Sequence, residues 1–372
     1  MNFSSILSSP ADWMTEAGPQ GDIVVTSRVR LARNVDTSGF PGWAKKPERS
    51  QLLEKLLPRI ETLPEMSDAF AEELKDLTAI QKQVLVERHL ISREHAAKST
   101  GSAAIMNATQ TLSIMVNEED HLRMQAILPG LQLQAAHRLV DGVDSNLESQ
   151  VNYAFDDRWG YLTACPTNLG TGMRASCMLH LPALVISEQV NQVIQAVNKI
   201  GLAVRGLYGE GTEALANLFQ ISNQSTLGES EAEIIAKLQK VINQIITHEQ
   251  NARQKLLEDK LAILQDQIGR AYAVLRYAHI IQSKEALNLL SMVRLGIDLE
   301  FFPKEEQKLV DRLLMEIQPA HLQTEARRKL GAEERDLMRS EILRRKLKTL
   351  PAPRISDDSN GNGHSPDVAG LS

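Results

Sequence analysis

Cysteine is nearly missing from this chain: Cys165 and Cys177 are the whole complement of 372 residues. That excludes a disulfide framework, the two show no paired metal spacing, and a reducing compartment is the expected setting. Positive charge is not in excess either. The net charge is −6, which argues against nucleic acid as the main partner, because non-specific affinity there comes from surplus Lys and Arg. No apolar run approaches the ~20 residues that a membrane span needs. The opening stretch, MNFSSILSSPADWM, lacks a basic n-region and an apolar core, so no secretory signal is expected there. Walker-type G-x-x-x-x-G-K-S loops, HRD and DFG are absent, and so are internal repeats. What remains is an ordinary composition, 42% apolar and 24% charged, long enough for two domains with a sizeable core. The expectation is a cytoplasmic globular protein.

Along the chain, residues 22–33 (DIVVTSRVRLAR) alternate as a strand does. Val25, Val29 and Leu31 fall on one face, and Thr26, Arg28 and Arg30 on the other. Residues 84–91 (VLVERHLI) and 111–116 (TLSIMV) also read as strands, being rich in β-branched residues. Residues 187–201 read as one helix, capped by Ser187, striped by Val190, Val193, Ile194, Val197 and Ile200, and ended by Gly201. A second helix starts at Ser230, where Glu233 completes a capping box. Strand signals stop near residue 250, and helical periodicity takes over. The division expected is an N-terminal segment 1–21, a catalytic domain 22–254, a helical domain 255–350 and a disordered tail 351–372.

Polar clusters recur at long range. Asn117-Glu118-Glu119-Asp120-His121-Leu122-Arg123 packs three carboxylates and a guanidinium into seven residues, an expensive arrangement unless cations or donors satisfy it. Arg28, Arg30, Arg33, Arg123, Arg174 and Arg205 fall in or beside such clusters, and a guanidinium fork suits phosphate oxygens. Taken singly, each reads as a surface or salt-bridged arginine. Arg28 and Arg30 on one strand face, with Arg174 and Arg205 in glycine-flanked turns, resist that reading. In CPTNLGTGMRAS, Gly170, Gly172 and Ala175 match the loose dinucleotide fingerprint, but its supporting acidic residue is missing. Cys165 sits in a polar segment before a proline, although composition alone fits an inert small hydrophobe equally well. Glu210 lies between two glycines in RGLYGEGTEA, as a mobile loop bringing a carboxylate to a site would have it.

Together NEEDHLR, CPTNLGTGMRA, RGLYGEG, SRVRLAR and NQSTLG closely resemble the hallmark segments of the ATP:guanidino phosphotransferase (phosphagen kinase) family, over residues 22–250. Within it the chain resembles the bacterial protein-arginine kinases. It enters its catalytic part almost at once, without the helical domain that precedes it in small-molecule phosphagen kinases, and continues into a helical C-terminal part. The resemblance implies an α+β fold: a curved, glutamine-synthetase-like antiparallel sheet flanked by helices, then an α-helical domain. Glu119 matches the family's carboxylate base, Glu210 its second carboxylate and Cys165 its reactive cysteine. Thr26, Ser27, Arg28, Val29 and Arg30, His89, Arg123, Arg174, Ala175, Ser176, Cys177 and Met178, and Arg205, Gly206, Leu207, Tyr208, Gly209 and Glu210 match nucleotide-binding positions.

In the C-terminal part, Arg335, Asp336, Arg339 and Ser340 resemble an RDxxRA motif that binds phosphoarginine as an allosteric signal, with serine where the pattern has alanine. Arg335 and Arg339 stand one helical turn apart, which suits a dianion, although the neighbouring Arg344, Arg345, Lys346 and Lys348 equally describe a solvated basic face. The implied activity is ATP- and Mg²⁺-dependent phosphorylation of protein arginines. The implied partners are proteins with exposed arginines, a zinc-containing activator (McsA), a heat-shock repressor and a Clp-type AAA+ protease, with no nucleic acid or membrane, and the chain a homodimer. A kinase for a small guanidino compound and a catalytically silent phosphoarginine-binding adaptor are the alternatives. The missing N-terminal domain speaks against the first, and intact Glu119, Glu210 and Cys165 against the second.

Overall fold

The computed structural model describes residues 1–15, 18–206 and 214–354. Its strands are β1 (Val24–Arg33), β2 (Phe70–Glu73), β3 (Ala103–Met106), β4 (Leu112–Val116), β5 (Leu122–Pro129), β6 (Phe155–Asp156), β7 (Gly160–Tyr161), β8 (Met173–His180), β9 (Leu202–Gly206) and β10 (Leu218–Asn223). Eight of them form one antiparallel sheet in the order β2-β3-β4-β5-β1-β8-β10-β9. The helices are α1 (Phe3–Ser8), α2 (Asp12–Thr15), α3 (Lys46–Glu61), α4 (Ala79–Glu87), α5 (Arg93–Ala96), α6 (Leu133–Glu148), α7 (Pro182–Ile186), α8 (Val190–Lys199), α9 (Glu231–Asp259), α10 (Leu261–Tyr277), α11 (Ser283–Asp298), α12 (Gln307–Glu316), α13 (Pro319–Glu325) and α14 (Ala332–Lys346).

One face of the sheet is dry. Val29, Leu31, Met124, Ala126, Ala175 and Cys177 meet Leu56 of α3, Val140 of α6 and Leu238 of α9 in one core, and burial of this apolar surface fixes which residues of each strand turn inward. The alternation of β1 follows the expectation at Val29 and Leu31. A β-bulge between Val24 and Thr26 breaks it further back, so that Val24 rather than Val25 is fully buried. Strand β4 matches the reading of residues 111–116.

Two sequence readings need correction. VLVERHLI is not a strand: Thr78 and Gln81 form a reciprocal capping box that starts α4, and local capping outweighs the β-branched composition. Residues 187–201 are not one helix. The Ser187 hydroxyl bonds back to the Ala183 carbonyl at 2.7 Å and closes α7, and Glu188 at φ +61° breaks the chain before α8 begins. Gly201 does end α8, at φ +80°. The capping box at Ser230 opens α9 as expected. That helix runs unbroken past residue 254, and the turn comes at Lys260.

Two buried ionic groups tie the parts together. Arg294 of α11 donates to the carbonyls of Gly21 and Asp22 at 2.8 and 2.9 Å and to Asp311 at 2.6 Å, fastening the C-terminal helices to the segment that enters β1. Arg33, at the other end of β1, donates to Asp144 of α6 at 2.6 and 3.0 Å and lies 3.6 Å from the Tyr161 ring centre. For Arg33 the structural reading is therefore the right one. Removing one member of such a pair leaves a buried charge uncompensated, so Asp144→Ala should lower stability by about 3–5 kcal/mol in urea unfolding; a loss below about 1 kcal/mol, as for an exposed ion pair, would contradict this role.

Candidate functional site

The opposite face of the sheet is cationic. Arg30 of β1 pairs directly across from Arg174 of β8, Arg28 lies two residues along, and Arg123 and Arg205 flank them on β5 and β9. Arg174 and Arg205 thus stand in strands, not in glycine-flanked turns, because β8 pairs with β1 over Arg174 and β9 pairs with β10 over Arg205. All five line a cavity of about 770 Å³ together with His89 and Glu119. Gln220 and Ser222 of β10, which the sequence reading passed over, accept from Arg28 and Arg174 at 3.0 and 3.1 Å. Strand alternation in LFQISN would have placed them on this face.

These arginines have few anions. Glu118, held by the Ser92 hydroxyl, takes Arg123 at 2.5 and 2.6 Å, and it is the one carboxylate ion-paired to the group among the described residues. Burial, reinforced by Arg123 and Arg174, pulls Arg28 down to about 10. Burial and its three arginine neighbours push Arg30 well below the usual arginine value. Burial also opposes the charge on Arg123, but Glu118 more than offsets it. The Nε atoms of Arg30 and Arg174 are buried without a hydrogen-bond partner. Such a face is built for a polyanion that supplies the missing acceptors. His89, taken down to about 3 by burial and by Arg28, stays neutral beside it.

The turn between β4 and β5 gives its three carboxylates three tasks. Glu118 anchors Arg123. Asp120 accepts from Asn34 Nδ2 at 2.6 Å and from the Ala164 amide at 2.7 Å, so it holds the loop that carries Cys165. Glu119 is left facing the cavity, touched by Asn168 Nδ2 at 3.2 Å. Burial, then the charges of Asp120 and Glu118, raise its carboxyl above the ordinary value. Glu119, Cys165, Asn168, Arg30 and Arg174 also line an adjoining pocket of about 120 Å³. Thr226 braces that pocket from the NQSTLG run, donating to the carbonyls of Thr167 and Leu169 at 3.0 and 2.6 Å.

Gly170 and Gly172 serve the same loop. At Gly172, φ is +65° and a Cβ would lie 2.6 Å from the Ala32 carbonyl oxygen, so only glycine lets the chain pass there. The strand β8 follows, not a helix, which disposes of the dinucleotide fingerprint.

The remaining expected positions divide by face. Thr26, Ser176 and Met178 line a small cavity with Arg28, His89 and Gln220. Ser27, Val29, Ala175 and Cys177 turn into the core on the other side, so only their backbone can serve the cavity. Gly206 lines the large cavity beside Arg205. Leu207, Tyr208, Gly209 and Glu210 lie outside the described residues.

On α14, Arg335 donates to the Leu330 carbonyl at 2.9 Å. Arg339 is buried, donating to the carbonyls of Ile317 and Ile281 at 3.1 and 3.0 Å and to Asp336 at 2.5 Å. Ser340 is buried as well, its hydroxyl bonded to the carbonyls of Leu337 and His279. The two arginines therefore do not present two equally open guanidinium groups.

Residues 52–252 match the model of the ATP:guanido phosphotransferase C-terminal catalytic domain, and residues 258–358 that of the protein-arginine kinase McsB C-terminal domain. The chain belongs to the ATP:guanido phosphotransferase family. Relatives named protein-arginine kinase span nearly the whole chain. The one from Moorella thermoacetica is 46% identical, with 92% of this chain and 98% of that protein covered. The one from Halalkalibacterium halodurans is 45% identical, covering 96% and 99%. Among solved structures, lombricine kinase superposes with a TM-score of 0.55 at 24% identity, over 67% of this chain and 72% of that one. The substrate-free duplicated taurocyamine kinase from Schistosoma mansoni superposes with 0.56 at 22%, over 81% and 49%. These likenesses confirm the expected antiparallel sheet with flanking helices.

For a member of this family ATP is the phosphoryl donor, and the uncompensated arginine face fits its triphosphate. The raised carboxyl of Glu119 yields a pH test. Its charged form is lost as pH falls, and at a higher pH than the ~4.3 of an ordinary glutamate. The acid limb of the phosphoryl-transfer rate should therefore lie above that value and vanish in Glu119→Gln; an unchanged limb in that variant would assign it to another group.

Proposed function

We propose that this enzyme transfers the γ-phosphoryl group of ATP to arginine side chains in proteins. The observation that carries the reading is the adjacency of two pockets that share Glu119: a large cavity lined by five arginines, of which only Arg123 has an ion-paired carboxylate among the described residues, and a smaller one that adds Cys165. Relatives named protein-arginine kinase along nearly the whole chain support a protein as acceptor. A small free guanidino compound is the second reading, favoured by the names of the solved neighbours.

A free guanidinium has a pKa above ~12 and is a poor nucleophile. In this reading Glu119 orients it by hydrogen bonds and takes its proton as the N–P bond forms and the bond between the β,γ-bridging oxygen and phosphorus breaks. Glu210, outside the described residues, would supply the second carboxylate, and Cys165 a thiolate charge rather than a covalent bond. Arg28, Arg30, Arg123, Arg174 and Arg205 hold the phosphates in line. Mg²⁺, carried on the triphosphate, would add charge neutralisation. The products are ADP and a phosphoramidate, a high-energy linkage, so the transfer runs readily in both directions.

The wider role we infer is marking of proteins for a Clp-type AAA+ protease and control of a heat-shock repressor, in the cytoplasm, as a homodimer with a zinc-containing activator. Arg335, Asp336, Arg339 and Ser340 would then read phosphoarginine on α14, with the partly exposed Arg335 meeting the phosphate first. No described helix is long and apolar enough to cross a membrane.

Incubation with ATP, an arginine-rich unfolded protein and, separately, free arginine tests the assignment. Acid-labile phosphate mapped to protein arginines but absent from free arginine is expected, with Glu119→Ala slowing transfer about a hundred- to ten-thousand-fold. Label on free arginine alone would move the enzyme to the small-molecule reading, and wild-type rates in Glu119→Ala would remove the mechanism.

A further inference from the structure

The large cavity is not walled by the sheet alone. Gln318, Pro319 and Ala320 at the start of α13, with Leu287 of α11, line it together with Gln83 and Glu87 of α4. Helix α4 and the C-terminal helices thus share walls of the cavity that the arginines line, and the end of α4 leads into His89.

One carboxylate joins α4 to α13. Glu87 is 6% exposed. One of its oxygens accepts the Ala320 amide at 2.8 Å, and the other accepts the His321 amide at 3.2 Å and the His321 ring Nδ1 at 2.7 Å. Arg88 donates through Nε to His321 Nε2 at 3.2 Å, so the imidazole is bracketed, accepting a hydrogen bond from Arg88 at Nε2 and donating one to Glu87 through Nδ1. Through Nη1, Arg88 also holds the carbonyls of Ile6 and Ser9 and the side chain of Gln110. The next residue is His89, at φ +58°, its ring 5.8 Å from that of Trp13.

A buried carboxylate is tolerated when its lone pairs are filled, and its removal orphans every donor it served. Loss of Glu87 would leave two amides and an imidazole unpaired and free two walls of the cavity at once. Among the described residues, Glu119, Asn168 and Cys165 at the guanidinium end bond to one another's loop and not to this cluster.

We propose that Glu87 is a positioning residue for the phosphoryl donor: by clasping α13 it fixes both the C-terminal wall of the nucleotide cavity and the approach of His89, so that the C-terminal helices set ATP affinity. This rests on ATP filling that cavity.

The test compares full-length wild type, Glu87→Ala, Glu87→Gln and His321→Ala, varying ATP and protein acceptor separately. Glu87→Ala should raise KM for ATP about tenfold, with KM for the acceptor and kcat moving less than about twofold. Glu87→Gln, which keeps one accepting oxygen, should recover part of the loss, and His321→Ala should give a smaller rise in the same constant. If Glu87→Ala does not fold, amide exchange in the wild type decides: a non-hydrolysable ATP analogue should slow exchange across residues 318–323. An unchanged KM for ATP, an equal rise in both KM values, or exchange indifferent to the analogue would overturn the proposal. A wild type that transfers nothing from ATP would instead overturn the donor assignment on which it rests.

Discussion

Arg30 and Arg174 face each other across neighbouring strands, and like charges directly opposite in a sheet destabilise it. Three more guanidinium groups line the same cavity; burial opposes the charge on Arg28 and Arg123, while Arg205 stays exposed at the rim. The sheet tolerates this because its other face is a continuous apolar core against α3, α6 and α9, whose burial offsets a locally unfavourable surface. The site is thus charged in advance. Binding a polyanion there relieves repulsion that folding has already accepted, which is the form electrostatic preorganisation takes.

The acidic turn works against this background by division of labour. If its three carboxylates all faced the cavity, they would cancel the phosphate site. Instead Glu118 is ion-paired to Arg123, and Asp120 is turned to Asn34 and the Ala164 amide. Glu119 alone of the three is left at the boundary between the two pockets. Burial, and then its neighbours' charges, raise its carboxyl, which moves it toward the proton affinity a base needs at neutral pH. The residues that look redundant in NEEDHLR are what make one of them available.

How far the sequence could be read follows from the range of each interaction. Alternation in SRVR and the capping box at Ser230 are local, and both appear where expected. VLVERHLI reads as a strand because its five β-branched or aliphatic residues outvote the Thr78–Gln81 box just upstream. The break at Glu188 has no glycine to announce it. Ser27, Val29, Ala175 and Cys177 came with their segments by resemblance; alternation already set Val29 on the face away from Arg28 and Arg30, and the pairing of β1 with β8 shows that Ala175 and Cys177 turn away as well. The walls from α11 and α13 were illegible, since nothing near Glu87 in sequence names Ala320 or His321 as its partners. Motif resemblance found the family because its signatures sit in turns and strands whose spacing is fixed by the site itself.

In this reading the arginine face supplies most of the drive for donor binding, and the α4–α13 wall adjusts it. Thermal unfolding with inorganic tripolyphosphate, ATP and adenosine, each without acceptor and at low salt, tests it most directly. Tripolyphosphate is expected to raise Tm nearly as much as ATP, adenosine to leave it unmoved, and Arg30→Gln to remove most of the tripolyphosphate effect. Stabilisation by adenosine with none by tripolyphosphate would contradict it.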